Sequence, residues 1–170
     1  DEQYRQAIES ADEYFRKGDY LNAKASYQVA SQLAPDQQYP KDRLKESIEL
    51  LRKQLEQKGI YNEKVAYADK LYREGSYENA IRAYEEAAKV LPTEEYPAKQ
   101  IGLIREAMTL EAEAQQRYSQ LISEGDALFE KEAYQDARLR YEEASKLFPG
   151  RQEALDKLDD TDGRLEEIAA

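Results

Sequence analysis

Apolar and polar residues follow a helical period from the start of the chain. In YRQAIESADEYFRKGDYLNAKASYQVASQLAP, Tyr4 to Pro35, apolar and small side chains recur at three- and four-residue steps among Lys, Arg, Asp and Glu. That spacing places them on one face of a helix, whereas a half-buried strand would alternate every second residue. Gly18-Asp19 breaks the pattern. Glycine can close a helix in the left-handed conformation, and aspartate can cap the next helix by accepting its free amide hydrogens. Pro35 then ends the second helix, because proline has no amide hydrogen for a helix interior. Ala23 and Ala30 allow two antiparallel helices to approach closely, with Tyr20 and Tyr27 filling the gaps beside them. The stretch predicts a helical hairpin.

The hairpin recurs. Tyr20, Tyr77 and Tyr134 are 57 residues apart, and so are Pro35, Pro92 and Pro149. The same shift superposes Tyr4, Tyr61 and Tyr118, then Asp12, Asp69 and Asp126, and then Tyr27, Tyr84 and Tyr141. It also aligns Ala23, Ala80 and Ala137, and Ala30, Ala87 and Ala144. Agreement at so many positions in one register defines three copies of one unit, over 1–60, 61–117 and 118–170. Gly75-Ser76 occupies the turn of the second copy, with the roles of Gly18-Asp19, and Glu132 stands where the third copy would carry its glycine.

The remainder of each copy reads as a third helix. After Tyr39-Pro40, Leu44, Ile48, Leu51 and Leu55 form one helical stripe; after Tyr96-Pro97 the stripe is Ile101, Ile104 and Met108. Proline suits the first turn of a helix, where no amide hydrogen is required. The third copy keeps Leu158 and Leu165 in register but has Glu153-Ala154 in place of Tyr-Pro. Gly59 is expected to break the chain before the second copy. Its counterpart is Gln116, so the second junction is expected to be one continuous helix from about residue 98 to about residue 131.

Composition agrees with an all-α chain: 41% hydrophobic and 36% charged, with 7 Gly and 5 Pro among 170 residues. A formal charge of −11 opposes nucleic-acid binding, which needs a basic face to displace counterions from phosphates. No run of about 18 apolar residues exists to insert into a membrane. With no Cys and no His, disulfides, Cys or His nucleophiles, Ser-His-Asp triads and N/S-ligated zinc are excluded. Residue 1 is Asp and the single Met is Met108, so a processed protein or a fragment of a longer one is expected.

The spacing Ala11, Tyr14, Gly18, Tyr20, Ala23, Tyr27, Ala30, Pro35 resembles the tetratricopeptide repeat signature. The second copy carries it as Ala68, Leu71, Gly75, Tyr77, Ala80, Tyr84, Ala87 and Pro92, and the third as Gly125, Leu128, Tyr134, Ala137, Tyr141, Ala144 and Pro149. Those repeats recur about every 34 residues, so the added helix is a departure of about 23 residues per copy. The resemblance implies an all-α, right-handed helical-repeat solenoid, three hairpins each followed by an extra amphipathic helix. It also implies a non-catalytic scaffold that binds a protein or peptide along a repeat face, with no cofactor and no metal. The Tyr-Pro-Lys step is similar to that of long-period tetratricopeptide proteins of bacterial cell envelopes, which implies an envelope or periplasmic location. A monomer is the expected state. A rigid helical spacer within a larger envelope-associated protein is the alternative.

In related arrays the first helices contact ligand. Here that face carries Ile8, Asp12 and Phe15; Val65, Asp69 and Tyr72; and Ile122, Asp126 and Phe129. An acidic, aromatic face suits a basic or mixed peptide. The bland alternative makes the apolar members core beneath the extra helix, with the aspartates solvated or paired to Lys and Arg. Arg5 and Asn62 could contribute to a carboxylate clamp of the chaperone-tail kind, but the three aspartates would repel a carboxylate. Asp160-Thr161-Asp162-Gly163 invites a calcium-loop reading that fails, because Leu158 and Ala169 would hold the first and last ligand positions. Most tyrosines sit at hairpin-packing positions, whereas Tyr39 and Tyr96, before their prolines, are candidates for exposure.

Overall fold

The computed structural model describes residues 1–170, and they form seven α-helices. In order these are α1 (Glu2–Arg16), α2 (Tyr20–Leu33), α3 (Gln38–Arg73), α4 (Tyr77–Val90), α5 (Tyr96–Glu130), α6 (Tyr134–Leu147) and α7 (Gln152–Ala169). The chain divides into two compact units, Asp1–Ile101 and Gly102–Ala170. In the first, α1 packs on α2, α2 on α3, and α3 on α4. In the second, α6 packs on α7, and α5 is tied to α6 by the Tyr141–Asp126 hydrogen bond and an Arg140–Glu124 ion pair. Helical hairpins repeated along the chain define a helical-repeat architecture.

The turns form where the sequence predicts. Gly18 has φ +76° and Gly75 the same. Around Gly18 the amide of Asp19 donates to the Tyr14 carbonyl and the amide of Gly18 to the Phe15 carbonyl. This paired closure satisfies the last free carbonyls of α1. The identical pattern surrounds Glu132, which adopts φ 61° although it carries a Cβ. Left-handed backbone is costly for a non-glycine residue, about 1–2 kcal/mol, so the third turn is held by its helices and not by its own preference. Asp19 caps α2 through the Asn22 amide, whereas Ser76, at the same position of α4, makes no side-chain cap bond.

The expected break at Gly59 does not occur. Helix α3 runs through it for 36 residues, as α5 runs for 35 residues through Gln116. A glycine interior to a helix costs only about 1 kcal/mol against alanine. Packing on α2 along one half and on α4 along the other exceeds that cost. Gly59 has open space where a side chain would be, and no left-handed turn follows it. The first two extra helices are therefore the first halves of long helices whose second halves open the next hairpin, whereas the third, α7, stands alone at 18 residues.

In the first copy the buried face of that extra half is also offset from the expected stripe, whereas in the second Ile104 is buried and Ile101 and Met108 are half-buried as expected. Pro40 and Ser47 are buried and Leu44 packs on the α1–α2 core, while Ile48 and Leu55 are exposed. The equivalents of Ser47 are Ile104 and Thr161, both fully buried. Ser47 and Thr161 satisfy their hydroxyls on the carbonyls of Arg43 and Lys157, one turn earlier, so a polar atom can occupy this position without an unmet hydrogen bond. The hairpin cores are mostly small and aromatic. Ala11, Ala23, Tyr27 and Ala30, with Ala68, Ala80, Tyr84 and Ala87, have no accessible surface. Alanines bring the helices together, and one tyrosine ring per hairpin fills the space that remains.

Candidate functional site

The aspartate of each first helix is the centre of a hydrogen-bonded node. In the first repeat, Tyr27 on α2 and Tyr39 on α3 both donate their hydroxyls to Asp12 Oδ1, the latter at 2.8 Å. In the second, Tyr84 on α4 and Tyr96 on α5 donate to Asp69 Oδ1, with 2.9 Å for Tyr96. The two rings lie edge to face, with centroids 6.3 Å and 6.1 Å apart. One carboxylate thus ties together the first helix, the second helix and the segment after it.

The third repeat keeps the aspartate and changes its donors. Tyr141 on α6 donates to Asp126 Oδ1 at 2.6 Å, and the second donor is the Lys157 ammonium at 2.8 Å. Glu153, at the position of Tyr39 and Tyr96, instead accepts from the Tyr118 hydroxyl at 3.3 Å. Ala154 fills the buried place of Pro40 and Pro97. Lys157 is the counterpart of Arg43 and Gln100. Arg43 lies 3.7 Å above the Phe15 ring and 6.0 Å from the Tyr27 ring; Lys157 keeps the second of these cation–π contacts, 5.8 Å from the Tyr141 ring.

Burial holds the Tyr27, Tyr84 and Tyr141 hydroxyls well above the ordinary tyrosine pKa. Their bonds to Asp12, Asp69 and Asp126 add to the shift, because ionising a phenol beside a carboxylate would bring two anions together. Arg43 pulls the other way at Tyr27. Tyr39 and Tyr96 are raised for the same reasons, burial first. All five phenols therefore stay protonated donors at neutral pH.

These contacts decide where the nine predicted face residues lie. Ile8 and Phe15 pack against the core of Ala11, Ala23 and Tyr27. Ile122 is buried, and Phe129 packs against the same cluster. Val65 and Tyr72 are half-buried. Phe15, Tyr72 and Phe129 each meet the tyrosine that opens the following helix, Tyr20, Tyr77 or Tyr134, edge to face at 5.2, 6.0 and 5.1 Å. The apolar rungs thus lie at the edge of the hairpin cores, Ile122 buried and the other five half-buried. Asp12, Asp69 and Asp126 are half-buried and engaged by tyrosine, a partner that a sequence reading confined to Lys and Arg overlooks. Its signal was present in the constant Asp-to-Tyr separations of 15 and 27 residues. Tyr39 and Tyr96 are close to half-exposed, at 46% and 41%, with their hydroxyls turned inward.

Open space remains at two of the nodes. One cavity of about 380 Å³ is lined by Glu9, Asp12, Arg16, Tyr39 and Arg43. Another, of about 220 Å³, is lined by Asp126, Phe129, Glu130, Tyr141, Lys157 and Asp160. Asp160 to Gly163 lie inside α7, with Thr161 buried and Asp162 bound to Arg138 at 2.7 Å, so they form no calcium loop. No group of three or more acidic side chains is arranged to hold a metal ion. No helix is long and apolar enough to cross a membrane.

Fold and nodes together define an all-α helical-repeat protein in which no metal-holding cluster and no cysteine motif is seen. In comparison with known proteins, no family model and no curated protein sequence matches the chain.

Proposed function

We propose that the chain is a protein-interaction scaffold of the tetratricopeptide type, a right-handed array that binds a protein or peptide along the face of its first helices. The observation that carries this reading is the recurrence of one partly exposed acidic node per repeat, with open cavities beside Asp12 and Asp126. An array of carboxylates at a fixed 57-residue interval, on a chain of net charge −11, favours a basic or mixed segment over an acidic one. The reading includes no catalysis, a monomeric state and an envelope or periplasmic location; these rest on the sequence resemblance alone.

The test is a solution NMR titration of the full chain with short Lys- and Arg-containing peptides. Chemical-shift changes are expected around Asp12, Asp69 and Asp126, and they should weaken together in the Asp12→Asn, Asp69→Asn, Asp126→Asn variant. Asparagine keeps an acceptor for the tyrosines and removes the charge. Changes confined to the outer faces of α2, α4 and α6 would sink the reading.

A rigid spacer is favoured by a different observation. Helix α3 continues without interruption for 36 residues, about 54 Å at 1.5 Å per residue. A spacer predicts that charge removal at the nodes leaves every interaction of the parent protein unchanged.

A further inference from the structure

In the first two repeats the chain supplies its own ligand to the aspartate, the phenol of Tyr39 or Tyr96, set edge-on against Tyr27 or Tyr84. The third repeat retains the receiving half of that arrangement. Asp126 and Tyr141 stand as Asp12 and Tyr27 do, joined by the same hydroxyl–carboxylate bond. The inserted ring is missing, because Glu153 replaces it and is turned to Tyr118. Space flanks Asp126 on two sides, the 220 Å³ cavity over Tyr141 and one of about 380 Å³ lined by Tyr118, Ile122, Asp126, Glu153 and Arg151 among others.

We infer that this vacated place is a binding subsite for a tyrosine side chain of a partner protein, flanked in the partner's sequence by a basic residue. The first two repeats show which group the site is shaped for. A phenol entering beside Tyr141 would donate to Asp126 as Tyr39 donates to Asp12, and an ionised carboxylate has acceptor capacity for more than two donors. Lys157 holds one side of Asp126 at 2.8 Å, so the partner phenol would join it on the carboxylate. The Asp126 side chain is the more exposed of the pair, 44% against 30% for Lys157, which leaves carboxylate surface for a further donor. The basic neighbour follows from charge, since Asp126, Glu130 and Asp160 line the cavity against the single Lys157. The inference rests on the scaffold reading and names the chemistry that one of its repeats would recognise.

The experiment titrates the full chain with acetylated, amidated Gly-Lys-Tyr-Lys-Gly and with its phenylalanine counterpart, followed by NMR. Saturable shifts are expected in the second half of α5 and in α7 around Lys157. The phenylalanine peptide should bind about five- to tenfold more weakly, the worth of one hydrogen bond. Glu153→Tyr supplies the ring from within the chain and should abolish binding while retaining the fold by circular dichroism. Equal affinity for the two peptides overturns the subsite, and that comparison needs no variant. So does undiminished binding to a folded Glu153→Tyr chain, or the absence of any shift near Asp126. Shifts confined to α1 and α3 overturn the subsite but leave the scaffold reading standing.

Discussion

The first and third repeats build the same hairpin under different constraints. In the first, Ala11 faces Tyr27, Gly18 closes the turn, and Tyr39 completes the node at Asp12. In the third, Gly125 faces Tyr141, Glu132 is forced through the left-handed turn, and a lysine stands in for the second phenol. A Cβ on Gly125 would lie 2.5 Å from the Tyr141 ring. The third hairpin is therefore closed more tightly around its tyrosine than a residue like Ala11 would permit. Across the repeats the aspartate and the buried tyrosine are the fixed members, and the remaining donor is exchangeable. The node is a construction principle of the fold first, and any ligand it holds must use what the tyrosines leave.

The largest effect should come from raising pH, which attacks what the repeats share. The Tyr27, Tyr84 and Tyr141 hydroxyls have folded-state pKa values raised above their unfolded value near 10. A group raised in this way contributes stability that is fully present below its unfolded pKa and lost as pH climbs toward the folded one. Unfolding by denaturant should thus become progressively easier above about pH 10. Ultraviolet titration should show a class of late-ionising tyrosines that disappears in denaturant. Simultaneous, unperturbed ionisation of all 14 tyrosines in the folded chain would contradict the node.

The next largest separates the repeats. Gly125→Ala should destabilise by about 1–3 kcal/mol through overpacking against Tyr141, offset by up to about 1 kcal/mol of helix propensity. Ala68→Gly, the reverse change in the second repeat, creates no clash and should cost about 1 kcal/mol from propensity, with about 0.8 kcal/mol more for the buried methyl. Urea unfolding of both variants measures the difference; a stabilised Gly125→Ala chain would mean that the third hairpin is not more tightly closed.

The smallest concerns the turn. Glu132→Gly should stabilise by about 1 kcal/mol by relieving left-handed backbone, and Gly75→Ala should lose a similar amount. Thermal melts of the two single variants should shift in opposite directions.

Local chemistry was largely legible in the sequence. Gly18, Asp19 and Pro35 signal their turn and caps through properties each carries alone, and the 57-residue register located all three hairpins. What escaped depends on forces acting across elements. Gly59 reads as a breaker by propensity, but packing on both halves of α3 outweighs it. Ile48 and Leu55 belong to a plausible apolar stripe, yet the path of α3 over the hairpin buries Pro40 and Ser47 instead. The bond from Tyr39 to Asp12 spans 27 residues and three helices. The register aligned both residues with their counterparts, but only the packing of α3 brings them within reach of each other.

Continuity through Gly59 also changes what counts as the module. Dividing the chain at 60 and 61 would cut α3 in two and leave each fragment with a frayed end where the helix now passes unbroken. A division that interrupts no helix falls in the short connections around Pro35 and Pro92, where one helix has ended and the next has not begun. The portable segment is therefore 38–94, a long helix followed by its short partner, still 57 residues. Copies spliced in that phase would keep every long helix intact. Grafts made in the hairpin phase would have to rebuild it across each seam.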